Sequence, residues 1–269
     1  MEWDLLYFFV VCGFFLLLFG AEIMLRGAVG FADKLGISKL VVGMTIVAFG
    51  TSAPEFLVSL NAALSGSSAI AVGNLVGSNI SNILLVTGIS AFLMPILLEK
   101  KSFKSDGWIL LLGTSLFFLL TFRLEISLFS GLLLLLFFVS FLFHSYFREK
   151  RRFNSQNVVS GHDDQGQSSN ILTLLIYLIL GISGLVFGAQ ILVDGGVGLA
   201  RKYGINEAAI GLTVMALGTS LPELAATVVA AIRKQSELAL GNIIGSNIFN
   251  IVGIVGAVSI ITPLSIPAR

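Results

Sequence analysis

Residues 50–55 read "GTSAPE", and they interrupt a long run of apolar side chains. Proline and glycine are poor residues for the interior of a helix, and a carboxylate is costly in apolar surroundings. The same pattern returns 168 positions later as "GTSLPE" at residues 218–223, again inside an apolar run. A costly feature that occurs twice at a fixed offset indicates a repeated structural unit.

The repeat extends well beyond these six residues. Residues 36–82 and 204–250 align without a gap, and 21 of the 47 positions are identical. A second polar motif, "GNLVGSNISN" at 73–82, recurs as "GNIIGSNIFN" at 241–250. A shared leucine-rich composition would not place polar residues in register, so the chain contains an internal repeat.

The composition predicts that both copies lie in a membrane. Hydrophobic residues make up 56% of the 269 residues and charged residues only 12%, about half of the charged fraction of a soluble domain. The net charge of +1 gives no reason to expect binding to nucleic acid, and the single Cys12 excludes a disulfide framework. We predict an all-α polytopic membrane protein with eight spanning helices at 5–24, 40–63, 70–97, 107–122, 126–146, 172–192, 207–232 and 238–262.

The order of the predicted helices gives the two copies opposite orientations in the membrane. A first repeat of five helices (1–146) precedes a polar linker (147–170) and a second repeat of three helices (171–269). Because five is odd, the second copy enters the membrane inverted. With the N-terminus outside, twelve Lys and Arg residues fall on the inner side and four on the outer side, which predicts a cytoplasmic linker.

The second repeat is expected to be incomplete. Counterparts of the fourth and fifth helices would lie beyond residue 269. We therefore expect a ten-helix plan that lacks its last two helices, either as a fragment or as a member of its class with eight spans.

Two carboxylates are expected in the middle of the membrane, on Glu55 and Glu223. A charged group there costs at least ~2.5–3.5 kcal/mol, so two related by the repeat predict one shared polar cavity. The proline and glycine of each copy should free backbone carbonyls at 48–51 and 216–219 from helical hydrogen bonds. Carbonyl, hydroxyl and carboxylate oxygens are the ligands that hard cations such as Ca²⁺ prefer.

Neutral oxygen donors accompany each carboxylate. A Thr-Ser pair precedes each glutamate, and in the second motif a serine and an asparagine four residues apart share one helix face. The predicted cation site comprises Glu55, Glu223, Thr51, Thr219, Ser52, Ser220, Ala48, Ala216, Ser78, Ser246, Asn82 and Asn250.

Purely structural explanations of the same motifs remain open. The spacings Ser52-x-x-Glu55 and Ser220-x-x-Glu223 match a capping box, in which the glutamate caps its own helix. The Gly-x-x-x-Gly patterns at 73–77 and 241–245 are typical of close helix packing, and the adjacent asparagines could join helices by hydrogen bonds.

The paired motifs resemble the two α-repeats of the sodium/calcium exchanger membrane domain in the Ca²⁺/cation antiporter superfamily. The resemblance is strongest over 19–97 and 187–263 and implies two inverted sets of five helices around a site where Ca²⁺ and Na⁺ compete. It further implies that helices 5–24 and 172–192 slide across the core. The implied Ca²⁺ ligands are Glu55, Glu223 and the carbonyls of Thr51 and Thr219; the implied Na⁺ ligands are the carbonyls of Ala48 and Ala216 and the hydroxyls of Ser52, Ser220, Ser78 and Ser246.

The resemblance implies a secondary active antiporter that exchanges Na⁺ for Ca²⁺ in the cell (inner or plasma) membrane, without enzymatic activity or a cofactor. Asn250 stands where K⁺-dependent relatives carry aspartate, so K⁺ dependence is not expected, and the "GNxxGSN" pattern favours Na⁺ over H⁺ coupling. Besides its two ions, the expected partner is membrane lipid. The alternatives are an antiporter of the same fold that is coupled to H⁺ or carries another divalent cation, and a truncated remnant that does not transport.

Overall fold

The computed structural model describes residues 3–95, 100–160, 170–206, 210 and 216–266, with side chains described except at 100–104, 149–160 and 216. Within these residues the fold is helical apart from one pair of two-residue strands. The helices are α1 Trp3–Leu35, α2 Lys39–Thr51, α3 Ala53–Leu64, α4 Ser68–Leu93, α5 Lys100–Thr121, α6 Leu128–Ser160, α7 Ile171–Lys202, α8 Ala216–Gly218, α9 Leu221–Ile232 and α10 Ser236–Ile261; the strands are β1 Glu125–Ile126 and β2 Leu264–Ser265.

Five helices are long and apolar enough to cross a membrane, namely α1, α4, α6, α7 and α10. The bent pair α2 and α3 makes a sixth candidate, and α9 and the 105–121 part of α5 are shorter apolar helices. The chain is therefore a multi-pass helical membrane protein, while the count of eight spans stays a prediction. Within the predicted span 207–232, residues 207–209 and 211–215 lie outside the described residues.

Three helices extend well beyond the C-terminal ends of the predicted spans. The predicted span 5–24 corresponds to α1, which continues to Leu35, and 172–192 corresponds to α7, which continues to Lys202. Helix α6 continues to Ser160 into the predicted linker, so 147–160 is helical. Apolar composition sets the length of a span, but a helix ends where a residue breaks it. For α1 that residue is Gly36, whose φ of +61° suits glycine, and its repeat counterpart Gly204 follows α7 with a φ of +75°.

The helices α1 and α7 pack as an antiparallel pair along a row of glycines. Each helix carries three glycines at intervals of seven residues. A Cβ added to Gly20 would lie 2.7 Å from the backbone nitrogen of Leu185, and one added to Gly188 would lie 2.7 Å from that of Leu17. Small residues let two backbones approach closely, as is common between membrane helices. The six glycines are Gly13, Gly20, Gly27, Gly181, Gly188 and Gly195.

Helix α10 lies at the centre of the fold. In the most apolar 18-residue stretch of α10, 89% of the residues are buried, whereas in the corresponding stretch of its repeat counterpart α4 only 33% are buried. Helices α5 and α6 of the first half pack against α10, and a Cβ on Gly131 of α6 would lie 2.9 Å from the carbonyl of Gly256. The strands β1 and β2 pair antiparallel and join the α5–α6 connection to the segment after α10. The first half thereby encloses the second motif.

A buried ion pair joins α5 to α6. The carboxylate of Asp106 is fully buried, and both of its oxygens accept hydrogen bonds from the Arg148 guanidinium, at 2.7 and 2.9 Å. Arg148 also donates to the Ser105 hydroxyl at 2.8 Å. Two parallel charge-assisted bonds fix the geometry of the hairpin more strictly than a single bond would.

Replacing Asp106 with asparagine is expected to destabilise the protein by about 1–2 kcal/mol, because the attraction between the buried Asp106 carboxylate and the Arg148 guanidinium is lost. The measurement is thermal unfolding of the purified protein in detergent. Ser105→Ala, which removes one neutral acceptor of the same arginine, serves as the matched control and should cost less than half as much. Equal losses for the two variants would contradict a dominant role for the ion pair.

Candidate cation site

The first motif breaks the chain between α2 and α3. The two helices meet at an angle of 47°, and a π-helical turn at Gly43–Val47 is followed by one α-helical turn, Ala48–Thr51, before the break. Ser52 N bonds to the Ala48 carbonyl at 3.0 Å, but helical bonding resumes only at the Ser52 carbonyl. Among the described residues, no backbone amide of the following helix donates to the Thr51 carbonyl. This oxygen can therefore bind another partner.

At the N-terminal end of the motif, the Ala48 carbonyl keeps a helical hydrogen bond that the prediction had it lose. Residues 48–51 were all expected to lose their helical bonds, but the Ala48 carbonyl accepts the Ser52 amide and also the Thr51 hydroxyl, at 3.4 Å. The reason is that Pro54 lacks only the N–H that would bond to Gly50, so the preceding turn stays helical. An ion at the Ala48 carbonyl would share it with these two donors.

The second motif breaks in a similar place but with different bonds. Helix α8 ends at Gly218 and α9 begins at Leu221. Ser220 N bonds to the Leu217 carbonyl at 3.1 Å instead of the Ala216 carbonyl, and helical bonding resumes at the Ser220 carbonyl. In the described part of this segment the Thr219 carbonyl, like that of Thr51, has no helical donor.

The two predicted carboxylates are buried and close enough for their charges to interact. Glu55 is 0% exposed and Glu223 is 1% exposed. Ser78 donates to Glu55 Oε1 at 3.3 Å and Ser52 donates to Glu223 Oε1 at 2.7 Å. Among the described residues, no group donates a hydrogen bond to the buried Oε2 atom of either glutamate. Two neighbouring buried carboxylates that meet no basic side chain in this part of the chain are costly, and a cation between them would offset that cost.

Hydrogen bonds between the two halves bring the motifs together. Ser52 of the first motif bonds to Glu223 of the second, and Thr51 donates to Asn242 Oδ1 at 3.2 Å. Thr51 also lies 3.5 Å from the hydroxyl of Ser246. Residues more than 160 positions apart thus form one polar cluster in the interior.

Asn74 and Asn242 join neighbouring helices by hydrogen bonds, an explanation that the sequence left open. The amide of Asn74 donates to the backbone carbonyl of Glu55 at 3.3 Å and to the Ser59 hydroxyl at 3.0 Å. Its counterpart Asn242 makes the same two contacts in the second half, the latter to Thr227 at 2.9 Å. These asparagines therefore hold the turn that carries each carboxylate. In the sequence, the signal for these contacts is a hydroxyl side chain four residues after each glutamate, at Ser59 and Thr227.

Three further predicted ligands, Asn82, Asn250 and Ser220, are buried. Among the described residues, no group bonds to either amide atom of the two asparagines or to the Ser220 hydroxyl. Leaving such a group buried and unpaired costs about 1–3 kcal/mol. The described residues contain no cluster of three His, Cys, Asp or Glu side chains. Any cation held here would have two carboxylates and otherwise neutral oxygens, a ligand set suited to hard ions.

Comparison with known proteins identifies relatives along nearly the whole chain. A sequence model of the family described as "Sodium/calcium exchanger protein" matches residues 5–147 and 173–269. The putative antiporter CaxA of Alkalimonas amylolytica is 40% identical over 95% of this chain and 80% of its own length. The sodium/calcium exchanger MaX1 of Methanosarcina acetivorans is 35% identical over 96% of this chain and 83% of its own length.

The fold has a counterpart among solved structures. The sodium-calcium exchanger NCX_Mj, soaked with 10 mM Na⁺ and no Ca²⁺, superimposes with a TM-score of 0.83 and 32% sequence identity. The match covers all of this chain and 86% of that protein. A crystal soaked with 100 mM Na⁺ and 10 mM Sr²⁺ matches equally well, over 98% of this chain.

Proposed function

The chain belongs to the sodium/calcium exchanger protein family, and on this premise we propose that it is a secondary active antiporter that exchanges Na⁺ for Ca²⁺. The observation that carries the proposal is the pair of buried, interacting carboxylates of Glu55 and Glu223, one from each copy of the motif. Their formal charge of −2 matches one Ca²⁺ or a set of monovalent ions. The names of the relatives MaX1 and NCX_Mj support Na⁺ and Ca²⁺ as the exchanged ions.

Coupling follows from the sharing of one set of ligands. When Ca²⁺ occupies the carboxylates, Na⁺ cannot use them, so each ion leaves before the other binds. If an empty site disfavours the change of access, the two fluxes become linked. The proposed ligands are those predicted from the sequence, with Asn74 and Asn242 added as the residues that hold the carboxylate turns.

We further propose that the two halves form an inverted repeat with eight spans, the N-terminus outside and the 147–170 segment in the cytoplasm. Two structural likenesses between the halves support the repeat. Gly36 and Gly204 end α1 and α7 with the same backbone conformation, and Asn74 and Asn242 make equivalent hydrogen bonds. The distribution of Lys and Arg supports the orientation.

Reconstituted vesicles provide the test. Vesicles loaded with Na⁺ and diluted into Na⁺-free medium are expected to accumulate ⁴⁵Ca²⁺, because the outward Na⁺ gradient drives the exchange. Vesicles with equal Na⁺ on both sides should not accumulate the label. Accumulation driven by a pH gradient in the absence of Na⁺ would instead support H⁺ coupling, and no accumulation under either gradient would support a remnant that does not transport.

A further inference from the structure

Three charged side chains join α1 to the end of α9. The guanidinium of Arg233, the residue that follows α9, donates to both carboxylate oxygens of Glu22, each at 3.0 Å. Arg26, one turn further along α1, donates to Glu22 Oε1 at 3.0 and 3.1 Å. Glu22 therefore has one cationic partner in its own helix and a second in a neighbouring part of the fold, which it meets through two bonds that fix their relative position.

The connection that carries Arg233 is itself held in place. Gln235 accepts a hydrogen bond from Nζ of Lys39, the first residue of α2, at 3.0 Å. The backbone amide of Gln235 bonds to the Ala230 carbonyl at 2.8 Å, which closes the turn after α9. Arg233 thus meets α1 from a connection that is fixed to α2.

The ion pair has no counterpart in the repeat. The positions that correspond to Glu22 and Arg233 are Gln190 and Ser65, and neither side chain carries a charge. In the proposed orientation, Glu22 and Arg233 lie toward the inner surface and their counterparts toward the outer surface. An ionic contact therefore ties α1 to α9 on one side of the membrane, and these positions cannot form the same contact on the other.

Helix α9 leads from the cation site to this ion pair. Glu223 lies in the first turn of α9, and Arg233 follows the last residue of the helix, about 15 Å further along its axis. Helix α1 packs against α9. The contact between the two helices therefore lies between the cation site and the inner surface, with the ion pair at its inner end.

We infer that the ion pair of Glu22 and Arg233 is a latch that must open before the cation site exchanges ions with the cytoplasm. The inference rests on the proposed function, because it assigns the latch to one of the two directions of access. When the latch opens, Glu22 keeps Arg26 as a partner, so its carboxylate stays paired. Because the pair is partly exposed, the latch favours the closed inner path by only about two- to fivefold.

The test measures the opening of the inner path by cysteine labelling of the full chain. Ala230 is fully buried, and it lies seven residues after Glu223 and three before Arg233, on the same side of α9. Ala230→Cys, combined with Cys12→Ser, leaves a single thiol at this position. In inside-out vesicles without Na⁺ or Ca²⁺, a membrane-impermeant methanethiosulfonate reagent reaches this thiol when the inner path opens.

Glu22→Gln and Arg233→Gln are each expected to raise the labelling rate by about two- to fivefold at low ionic strength. Added choline chloride should raise the rate of the chain with the intact ion pair and leave both variants nearly unchanged, because salt screens exposed charges. Arg26→Gln is the matched control. It removes an equal charge from the same carboxylate but within α1, so it should not raise the rate.

A second thiol separates the latch from a general loosening of the fold. Ala62, the repeat counterpart of Ala230, lies on α3 toward the proposed outer surface. Labelling of Ala62→Cys in right-side-out vesicles should not rise in either glutamine variant. A rise at both thiols, or an unchanged rate at Ala230→Cys, would overturn the inference. If Ala230→Cys fails to fold, the buried Ala226 on the same side of α9 provides the thiol instead.

The labelling result is independent of the ion assay. A raised rate in a chain that transports no ⁴⁵Ca²⁺ would reject the proposed function and keep the ion pair as a tie between α1 and α9. Sodium-driven uptake with an unchanged labelling rate would keep the function and reject the latch.

Discussion

Replacing Glu55 or Glu223 with glutamine is expected to abolish Na⁺-driven Ca²⁺ uptake, with a loss of at least about 100-fold in initial rate. Glutamine has the same size and keeps an oxygen that can accept from Ser78 or Ser52, so the substitution removes charge and little else. A divalent ion that has shed its water requires both carboxylates, because a single negative charge leaves it under-compensated.

A matched control separates charge in the site from charge elsewhere. Glu237→Gln makes the same chemical change in the exposed first turn of α10 and should leave uptake unchanged. Full uptake by Glu55→Gln or Glu223→Gln would reject the site assignment.

In the absence of transported ions, the glutamine variants should gain thermal stability although they lose transport. In ion-free buffer each glutamine variant is expected to melt at a higher temperature than the wild type, because a buried, repelling carboxylate has been removed. Added Ca²⁺ should raise the melting temperature of the wild type and leave the variants unchanged. A variant that unfolds in ion-free buffer would show instead that the glutamate serves the fold, as the capping-box explanation requires.

The parts of the site that could be predicted are those set by local chemistry. A proline and a glutamate inside an apolar run are costly wherever the chain folds, so the breaks at residues 50–55 and 218–223 follow from the sequence. The repeat then indicates that the two breaks meet, which the bond from Ser52 to Glu223 shows.

The parts that could not be predicted depend on which partner each group meets in the folded protein. Glu22 forms an ion pair at 3.0 Å with Arg233, the residue that follows α9, and no spacing in the sequence predicts this partner. The partners of Asn74 and Asn242 and the pairing of β1 with β2 likewise depend on tertiary packing. Sequence patterns give the donors and acceptors, and tertiary packing selects among them.

The two Gly-x-x-x-Gly motifs have the same sequence pattern but different neighbours in the described structure. A Cβ on Gly241 or Gly245 would contact the backbone of α2, as a packing role predicts. A Cβ on Gly73 or Gly77 meets no described atom within 4 Å, and residues 211–215, the repeat counterparts of 43–47 in α2, lie outside the described part of the chain. The packing role is therefore shown for one copy of the motif only.

Substituting alanine for Gly20 or Gly188 is expected to destabilise the protein by about 2–3 kcal/mol, because the new methyl group overpacks the α1–α7 contact. At both positions the obstructing atoms belong to the facing backbone, at 2.7 Å from the added carbon, and a backbone cannot rotate away as a side chain can. The measurement is unfolding of the purified protein by thermal or denaturant titration in detergent, with helix content as the readout.

Gly88→Ala is the matched control, because Gly88 also lies within a helix but an added Cβ there meets no described atom within 4 Å. Alanine favours the helix over glycine by up to about 1 kcal/mol, so this variant should be neutral or slightly stabilised. The opposite signs separate overpacking from helix propensity, since propensity alone would stabilise all three variants. If Gly20→Ala and Gly188→Ala were as stable as the wild type, α1 and α7 would have room to separate, and the glycine row would not be what holds them together.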